Sequence, residues 1–315
     1  MPLFSVIIPL YNKAENIRDT LNSALEQTFQ DFEIIIIDDG STDNSMEIVN
    51  THTDSRLKVF SKENEGVSLA RNYGVSKANG KFMAFLDADD FWKTDHLEVL
   101  NSLILSYPKI TWFASRYEIK HHEGLVIPMQ TNLLDEDEVF EGVVEDYFRY
   151  SLVSSLAWTS AVCMKKEFFN DLGGFNKRIT FGAGEDTDLW IRAALRSPLV
   201  FSYKITAQHN LMGANRITKT ATQKRDFLNL DTYETEAANN AYLKKYLDLN
   251  RFSIGLQYKM AGMTAIAKSY FEKIDKNNLS RKQRFLMSRH RATLSTIKKI
   301  QGILRALRID LSAFD

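Results

Sequence analysis

Three aspartates, Asp87, Asp89 and Asp90, stand together in FMAFLDADDFW (82–92), directly after a run that reads as a buried strand. Like charges this close repel, and each loses stability if it is desolvated alone. A divalent cation turns that repulsion into coordination, and carboxylate oxygens suit hard ions such as Mg²⁺ or Mn²⁺. Mg²⁺ is typically held by one or two carboxylates plus phosphate oxygens, so the ligand expected here carries phosphates. Two further acidic pairs have the same flavour: Asp38–Asp39 in DDGSTDNS, and Glu185–Asp186 in GEDTDLWIRAAL. Plain structural roles compete for each. Asp90 could cap the helix containing Trp92 to Leu105, turn chemistry accounts for GSTD, and acids at a helix start are favoured by its dipole. His209, in ITAQHNLMGANRIT, follows the strand-like run VFSYKI (200–205). It is a candidate metal or diphosphate contact, with Arg216 as a phosphate partner, or else an ordinary satisfied histidine. His121 and His122, before Glu123–Gly124, read as a hairpin turn and not as a metal site.

The elements that must position these residues alternate. FSVII (4–8), FEIIII (32–37), LKVF (57–60) and KFMAFL (81–86) read as strands. Ala14 to Gln27, Ser45 to Asn50 and Gly66 to Ala78 read as helices between them. Such alternation implies an α/β fold with a mostly parallel sheet covered by helices, and ligands bind beyond the carboxyl ends of its strands. Tyr11, Asp38–Asp39 and the Asp87 to Asp90 group all follow strands of this set, so they are expected at one sheet edge. Farther on, 110–119 and 159–166 read as strands, 133–148 as a loop leading into a helix, and KEFFNDLGGF as a short helix ended by Gly173–Gly174. From about residue 222 the pattern is helical to the end.

Composition narrows the function. At 44% apolar and 25% charged residues, the 315-residue chain is an ordinary globular one with no apolar run near the roughly 20 residues of a membrane span. Its N-terminal apolar run is too short for a signal peptide, so a cytoplasmic location is expected. The one cysteine, Cys163, excludes an internal disulfide and a cysteine-cluster zinc site, and is expected to be a buried thiol. Zero net charge conceals polarity along the chain: residues 276–315 carry +8 and residues 1–275 carry −8.

Taken in order, SVIIPLYN (5–12), DDGSTD (38–43), GVSLARNYGVSKANGKFMAFLDADD (66–90), GGF and GEDTDLWIR (184–192) resemble the family 2 glycosyltransferases. The resemblance covers residues 1 to about 215. It implies a GT-A (Rossmann-like) fold and an inverting enzyme that takes a nucleotide-diphosphate sugar, UDP-sugars being favoured, with Mn²⁺ or Mg²⁺. Carried onto this chain, it implies that Pro9 and Tyr11 line the base pocket and that Asp39 accepts a hydrogen bond from the base. It places Arg71 and Asp87 near the nucleotide, makes Asp89 the metal ligand, and assigns the catalytic base to Asp186, with Glu185 as the alternative in that role. His209, from its place after a strand-like run, is a candidate second metal ligand. The implied acceptor is a hydroxyl of a glycan or lipid-linked molecule, as in bacterial surface-polysaccharide assembly.

The expected division is a catalytic domain over 1–221, with a nucleotide-binding half about 1–110 and an acceptor half about 111–221, followed by a helical region over 222–315. Within the tail, Ile297, Ile300, Leu304, Leu307 and Leu311 recur at helical spacing among Lys298, Lys299, Arg305 and Arg308. Such a basic amphipathic helix suits the anionic inner face of the cell membrane, or packs on the catalytic domain or on a second copy in a homo-oligomer. Nucleic acid is disfavoured, because no aromatic stacking platform accompanies the basic residues. Three rival functions compete with this one. A haloacid-dehalogenase-type phosphotransferase needs its DxD on the first strand, and an NAD(P) enzyme needs a GxGxxG after it; neither is present. The third rival is a non-catalytic sugar-nucleotide-binding or scaffold protein of the same fold.

Overall fold

The computed structural model describes the chain except residues 123, 137–138, 214–215, 217–219 and 307–315, and the side chains of 135–136 and 303–306. Strands β1 (Phe4–Leu10) and β2 (Phe32–Asp38) are buried at all seven positions each, as unbroken apolar runs covered on both faces should be. With β3 (Leu57–Ser61) and β4 (Phe82–Phe85) they form a parallel array in the order β3-β2-β1-β4. Helices α1 (Ile17–Leu25), α2 (Ser45–Val49) and α3 (Val67–Lys77) connect them. Gly74 lets α3 lie close on the sheet: a Cβ there would sit 2.5 Å from Ile7 Cγ2.

Pro9 would be out of place in a central strand that needed its N–H. Here the β4 side of β1 is last used when Leu86 N–H donates to the carbonyl of Ile7, so Pro9 lies past the end of that ladder. The departure of β4 opens a gap beside the end of β1. That gap becomes the floor of the site.

Farther along come β5 (Phe91–Trp92), α4 (His96–Ser106), β6 (Trp112–His122), β7 (Leu125–Pro128), α5 (Leu133–Glu136), β8 (Glu141–Val144) and α6 (Tyr147–Tyr150). Then follow β9 (Val162–Lys165), α7 (Lys166–Asp171), α8 (Glu185–Ala194) and β10 (Leu199–Asn210). The sheet continues β4-β9-β6-β10-β5, with β7 on β6 and β8 on β10. Parallel pairing is confined to the first four strands and to β6 with β10; β9 runs antiparallel to both β4 and β6. A short run buried on both faces, such as VCMK, has no direction written in it. Cys163 is a buried free thiol, as expected.

Two local readings need correction. The acidic stretch 133–148 contains strand β8, whose alternation covers only four residues, Gly142 and Val144 buried between exposed Glu141 and Val143, too few to stand out among acids. His209 lies inside β10 and not after a strand, because register shifts between Ser202, Ile205 and Ala207 break the period-two pattern that would have extended it.

Among the described residues from 222 onward the regular elements are all helical: α9 (Glu234–Ala237), α10 (Ala241–Met260), α11 (Thr264–Glu272), α12 (Arg281–Ser288) and α13 (Arg291–Ala306), with short 3₁₀ turns. Leu243, Tyr246 and Leu247 of α10 belong to the main core, and the Tyr246 ring lies 5.6 Å from that of Phe148. Tyr233 Oη donates to Asp188 Oδ1 over 2.6 Å, tying this region to α8. On α13, Leu294 is buried while Lys298, Lys299 and Ile300 are exposed. Leu307, Arg308 and Leu311 of the expected amphipathic row, and the side chains of Leu304 and Arg305, lie outside the described residues.

Candidate active site

One cleft of about 420 Å³ opens at the carboxyl ends of β1, β2 and β4. Pro9, Tyr11, Asp39, Arg71, Asp87, Asp89, Glu185, Asp186 and His209, the full set of sequence-derived candidates, line it. Tyr11 is 43% exposed, which leaves its ring face available at one end. Asp39 is buried beside it. Its Oδ1 accepts from Lys62 Nζ (2.7 Å) and Glu65 N (3.1 Å), and its Oδ2 from Gly66 N (2.9 Å). These bonds fix the carboxylate and join the end of β2 to the start of α3. Asp38 does something different: its Oδ1 accepts from Ser41 N and closes the turn.

Arg71 is the centre of the site. It is buried, with Nη2 2.5 Å from Asp87 Oδ1, Nη1 3.4 Å from Glu185 Oε1, and its guanidinium carbon 5.0 Å from the Phe175 ring centre. One cation thus links the loop after β4 to the start of α8. Asn72 beside it donates to the Phe175 carbonyl (2.8 Å) and accepts from the Phe175 N–H (2.9 Å). The ARN and GGF segments are therefore two halves of one clamp. Asn72 escaped the sequence reading, because an amide that pairs with a backbone about a hundred residues away leaves no local pattern.

Asp90 is not a helix cap. Helix α4 begins only at His96, after Asp95. Asp90 instead accepts from Ser160 Oγ (2.6 Å), Trp158 Nε1 (3.2 Å) and the Asn210 N–H (3.0 Å). It fastens the DADD turn to β10 and to the segment before β9. Burial, then Asp89 and Asp87, pushes it up to about 8 in spite of those donors.

The motif set and its geometry have a counterpart among known families. The model for Glycosyl transferase family 2 matches residues 5–168. The chain belongs to this family. An uncharacterised glycosyltransferase of Rickettsia conorii is 30% identical over 278 residues, which is 88% of this chain and 43% of that protein. The chain thus spans under half the length of this curated relative. A UDP-Glc:α-D-GlcNAc-diphosphoundecaprenol β-1,3-glucosyltransferase of Escherichia coli, WfgD, is 37% identical over 125 residues, 39% of this chain and 49% of that one. TarS of S. aureus, solved with UDP-GlcNAc, matches with a TM-score of 0.63 at 19% identity over 88% of this chain and 83% of the other, which establishes the GT-A fold.

The chain carries its charges at a cost that shows in their protonation. Burial, then the neighbouring Asp186, pushes Glu185 up to about 7 despite Arg71. Its second oxygen is buried without a hydrogen-bond partner among the described residues. Asp186 is also raised by burial, while Thr187 N–H, 2.6 Å from its Oδ1, pulls the other way. His209 is depressed to about 3 by burial and then by Arg216, so the imidazole is neutral. It stacks on Trp158 with ring centres 4.0 Å apart, and its Nε2 lies 3.3 Å from Arg216 Nη2.

A stability prediction follows from Glu185. Between its ordinary value near 4.5 and about 7 the folded protein keeps a proton that the unfolded chain has lost. The folded state binds more protons there, so stability falls as pH rises through that window. Glu185→Gln carries no titrating proton, and its melting temperature is expected to fall less than that of the parent between pH 5 and 7. Equal slopes in the two proteins would place the proton elsewhere.

The cleft fits a divalent cation bound jointly with a phosphorylated ligand. Among the described residues no three Asp, Glu, His or Cys side chains stand close enough together to hold a metal ion by themselves. Asp89 supplies a hard carboxylate oxygen at the cleft wall, and a cation already lies against it: Lys13 Nζ is 2.6 Å from Asp89 Oδ2. One carboxylate plus phosphate oxygens is the usual complement of Mg²⁺.

Proposed function

We propose that this transferase moves a sugar, with inversion at C1, from a nucleotide-diphosphate sugar to a hydroxyl of a glycan or lipid-linked acceptor, a UDP-sugar being the favoured donor. The observation that carries the reading is the shared cleft: Tyr11, Asp39, the Asp87–Asp89 pair and Asp186 come from four places in the sequence and line one space. Pro9 and Tyr11 hold the base, and Asp39 accepts from it with the lone pairs that Lys62, Glu65 and Gly66 leave free. Arg71 and Asp87 orient the ribose and diphosphate. Asp89 would hold Mn²⁺ or Mg²⁺ together with the donor, and His209 would join it once Arg216 turns aside. The bound ion supplies Lewis-acid stabilisation of the charge that builds on the departing diphosphate. Asp186 takes the proton of the attacking hydroxyl, whose own pKa is far above 7. One base suffices for inversion, so no second carboxylate need act as nucleophile. Glu185, paired to Arg71, holds the start of α8 and is the alternative base.

The likeness to TarS with UDP-GlcNAc and to a UDP-glucose-dependent enzyme supports the UDP preference. The acceptor named for WfgD, a lipid diphosphate sugar, supports a lipid-linked acceptor. A screen of UDP-, GDP- and dTDP-sugars tests the donor, since a ligand that binds only the folded state raises its apparent stability. A UDP-sugar with Mn²⁺ is expected to raise the melting temperature most; a larger shift with GDP- or dTDP-sugars would reassign the base pocket. A non-catalytic protein of this fold would bind donor and release no nucleotide from it.

No described helix is long and apolar enough to cross a membrane. The proposed site of work is the cytoplasmic face of the cell membrane, with α13 as the contact. Lys298 and Lys299 are exposed there, and their double substitution by Glu is expected to abolish sedimentation with anionic vesicles. Vesicle binding that survives the substitution, or a concentration-dependent dimer that it abolishes, would turn α13 into a protein contact.

A further inference from the structure

Lys13 follows PLYN at the end of β1 and has no counterpart among the site residues that the sequence patterns single out. Its backbone is unusually well held. Asn12 is in the left-handed region (φ 50°), and its Oδ1 accepts from Thr42 N (2.7 Å) and Asp43 N (3.3 Å). Lys13 N donates to Ser45 Oγ (2.8 Å), and Ala14 N to Asp43 Oδ2 (3.0 Å). The loops after β1 and β2 are thereby knitted together, and from this frame the Lys13 ammonium reaches across the cleft to Asp89, 76 residues away in sequence.

That pair is mostly shielded, with side chains 13% and 15% exposed. Asp89 has little room to swing away, because Gly213 is packed against it: a Cβ on Gly213 would lie 2.7 Å from Asp89 Oδ2. An incoming ion bound at Asp89 Oδ2 would meet the Lys13 ammonium already there. Two cations on one oxygen repel, so a divalent ion and Lys13 exclude each other there. The cleft also gathers Asp39, Asp87, Asp89 and Asp186 against Lys13, Arg71 and Arg216. Without a cation at Asp89 that excess would be worse. A nucleoside diphosphate reverses the need, because it brings negative charge of its own, and a lysine ammonium is a compact point charge suited to phosphate oxygens.

We propose that Lys13 is the counter-cation of the donor site: its ammonium holds Asp89 until a divalent ion takes that oxygen, and then pairs with the donor diphosphate. The proposal rests on the reading of Asp89 as the metal ligand, and it is independent of which base the donor carries.

The test uses Mn²⁺ alone and inorganic pyrophosphate, so the identity of the nucleotide does not enter. Free Mn²⁺ is measured by electron paramagnetic resonance in titrations of the full chain, its Lys13→Met variant, and Lys13→Met combined with Asp89→Asn. Pyrophosphate binding at saturating Mn²⁺ is then measured by calorimetry. Lys13→Met is expected to bind Mn²⁺ alone about tenfold more tightly than the parent, and pyrophosphate about tenfold more weakly, each the scale of one charge-assisted hydrogen bond. Adding Asp89→Asn should remove the gain in Mn²⁺ affinity. The proposal is overturned if Lys13→Met binds Mn²⁺ no more tightly than the parent, if pyrophosphate affinity is unchanged, or if the gain survives Asp89→Asn. Lys13→Gln, of similar length and polar, repeats the test should the methionine variant fold poorly. A parent that binds pyrophosphate with Mn²⁺ but no UDP would reject the UDP preference and leave this result standing.

Discussion

Asp186→Asn is expected to bind donor as the parent does and to lose sugar transfer by about 10²–10⁴-fold, the usual worth of a positioned general base. The substitution is conservative where the fold is concerned. Asp186 Oδ1 accepts from Thr187 N at the first turn of α8, and an asparagine oxygen can take the same bond. Donor contacts are expected to persist, because Tyr11, Asp39 and Asp87 lie on other elements. What disappears is the ability to receive a proton. The comparison needs only nucleoside diphosphate release from a UDP-sugar, followed alongside donor affinity. A rate within about tenfold of the parent would exclude Asp186 as the base, and Glu185, its neighbour in the cleft, would then be the residue to substitute.

The second large effect concerns Asp89. Asp89→Asn is expected to abolish the dependence of UDP affinity on Mn²⁺, at a cost of at least about 100-fold, since even groups that only support metal ligands are worth 10–100-fold. Burial raises the Asp89 carboxyl, and Lys13 opposes that shift. Asparagine removes the charge that both Lys13 and an incoming ion use. Calorimetric titration of UDP with and without Mn²⁺, in parent and variant, reads this directly. If UDP bound the two proteins equally in the presence of Mn²⁺, the diphosphate grip would have to be assigned to other residues.

How much of this site could be read from the sequence depended on distance along the chain. The first four strands were legible because FSVIIPL and FEIIIID are apolar on both faces and end in polar loops, and that placed Tyr11, Asp39 and Asp87 to Asp90 at one edge. The start of α8 was legible too, since Leu189, Trp190 and Ala193 recur at helical spacing and are buried. Contacts between remote residues were not. Asp90 looked like a local cap, yet it meets Asn210, 120 residues on; Arg71 meets Glu185 across 114. Such pairs depend on how the sheet closes, and the antiparallel insertion of β9 between β4 and β6 is the step that brings them together. Lys13 was missed for the same reason. A lysine after a turn is unremarkable until the fold sets Asp89 opposite it.

Acids dispersed through the sequence meet in a single crevice, and a crystal grown with Mn²⁺ and the nucleoside diphosphate that best stabilises the protein tests most directly whether they hold a pyrophosphate there through a cation. The expected result is an anomalous scattering peak between Asp89 and the diphosphate, with the base against Tyr11 and beside Asp39. A nucleotide seated outside this cleft, or a Mn²⁺ peak away from Asp89, would contradict the account.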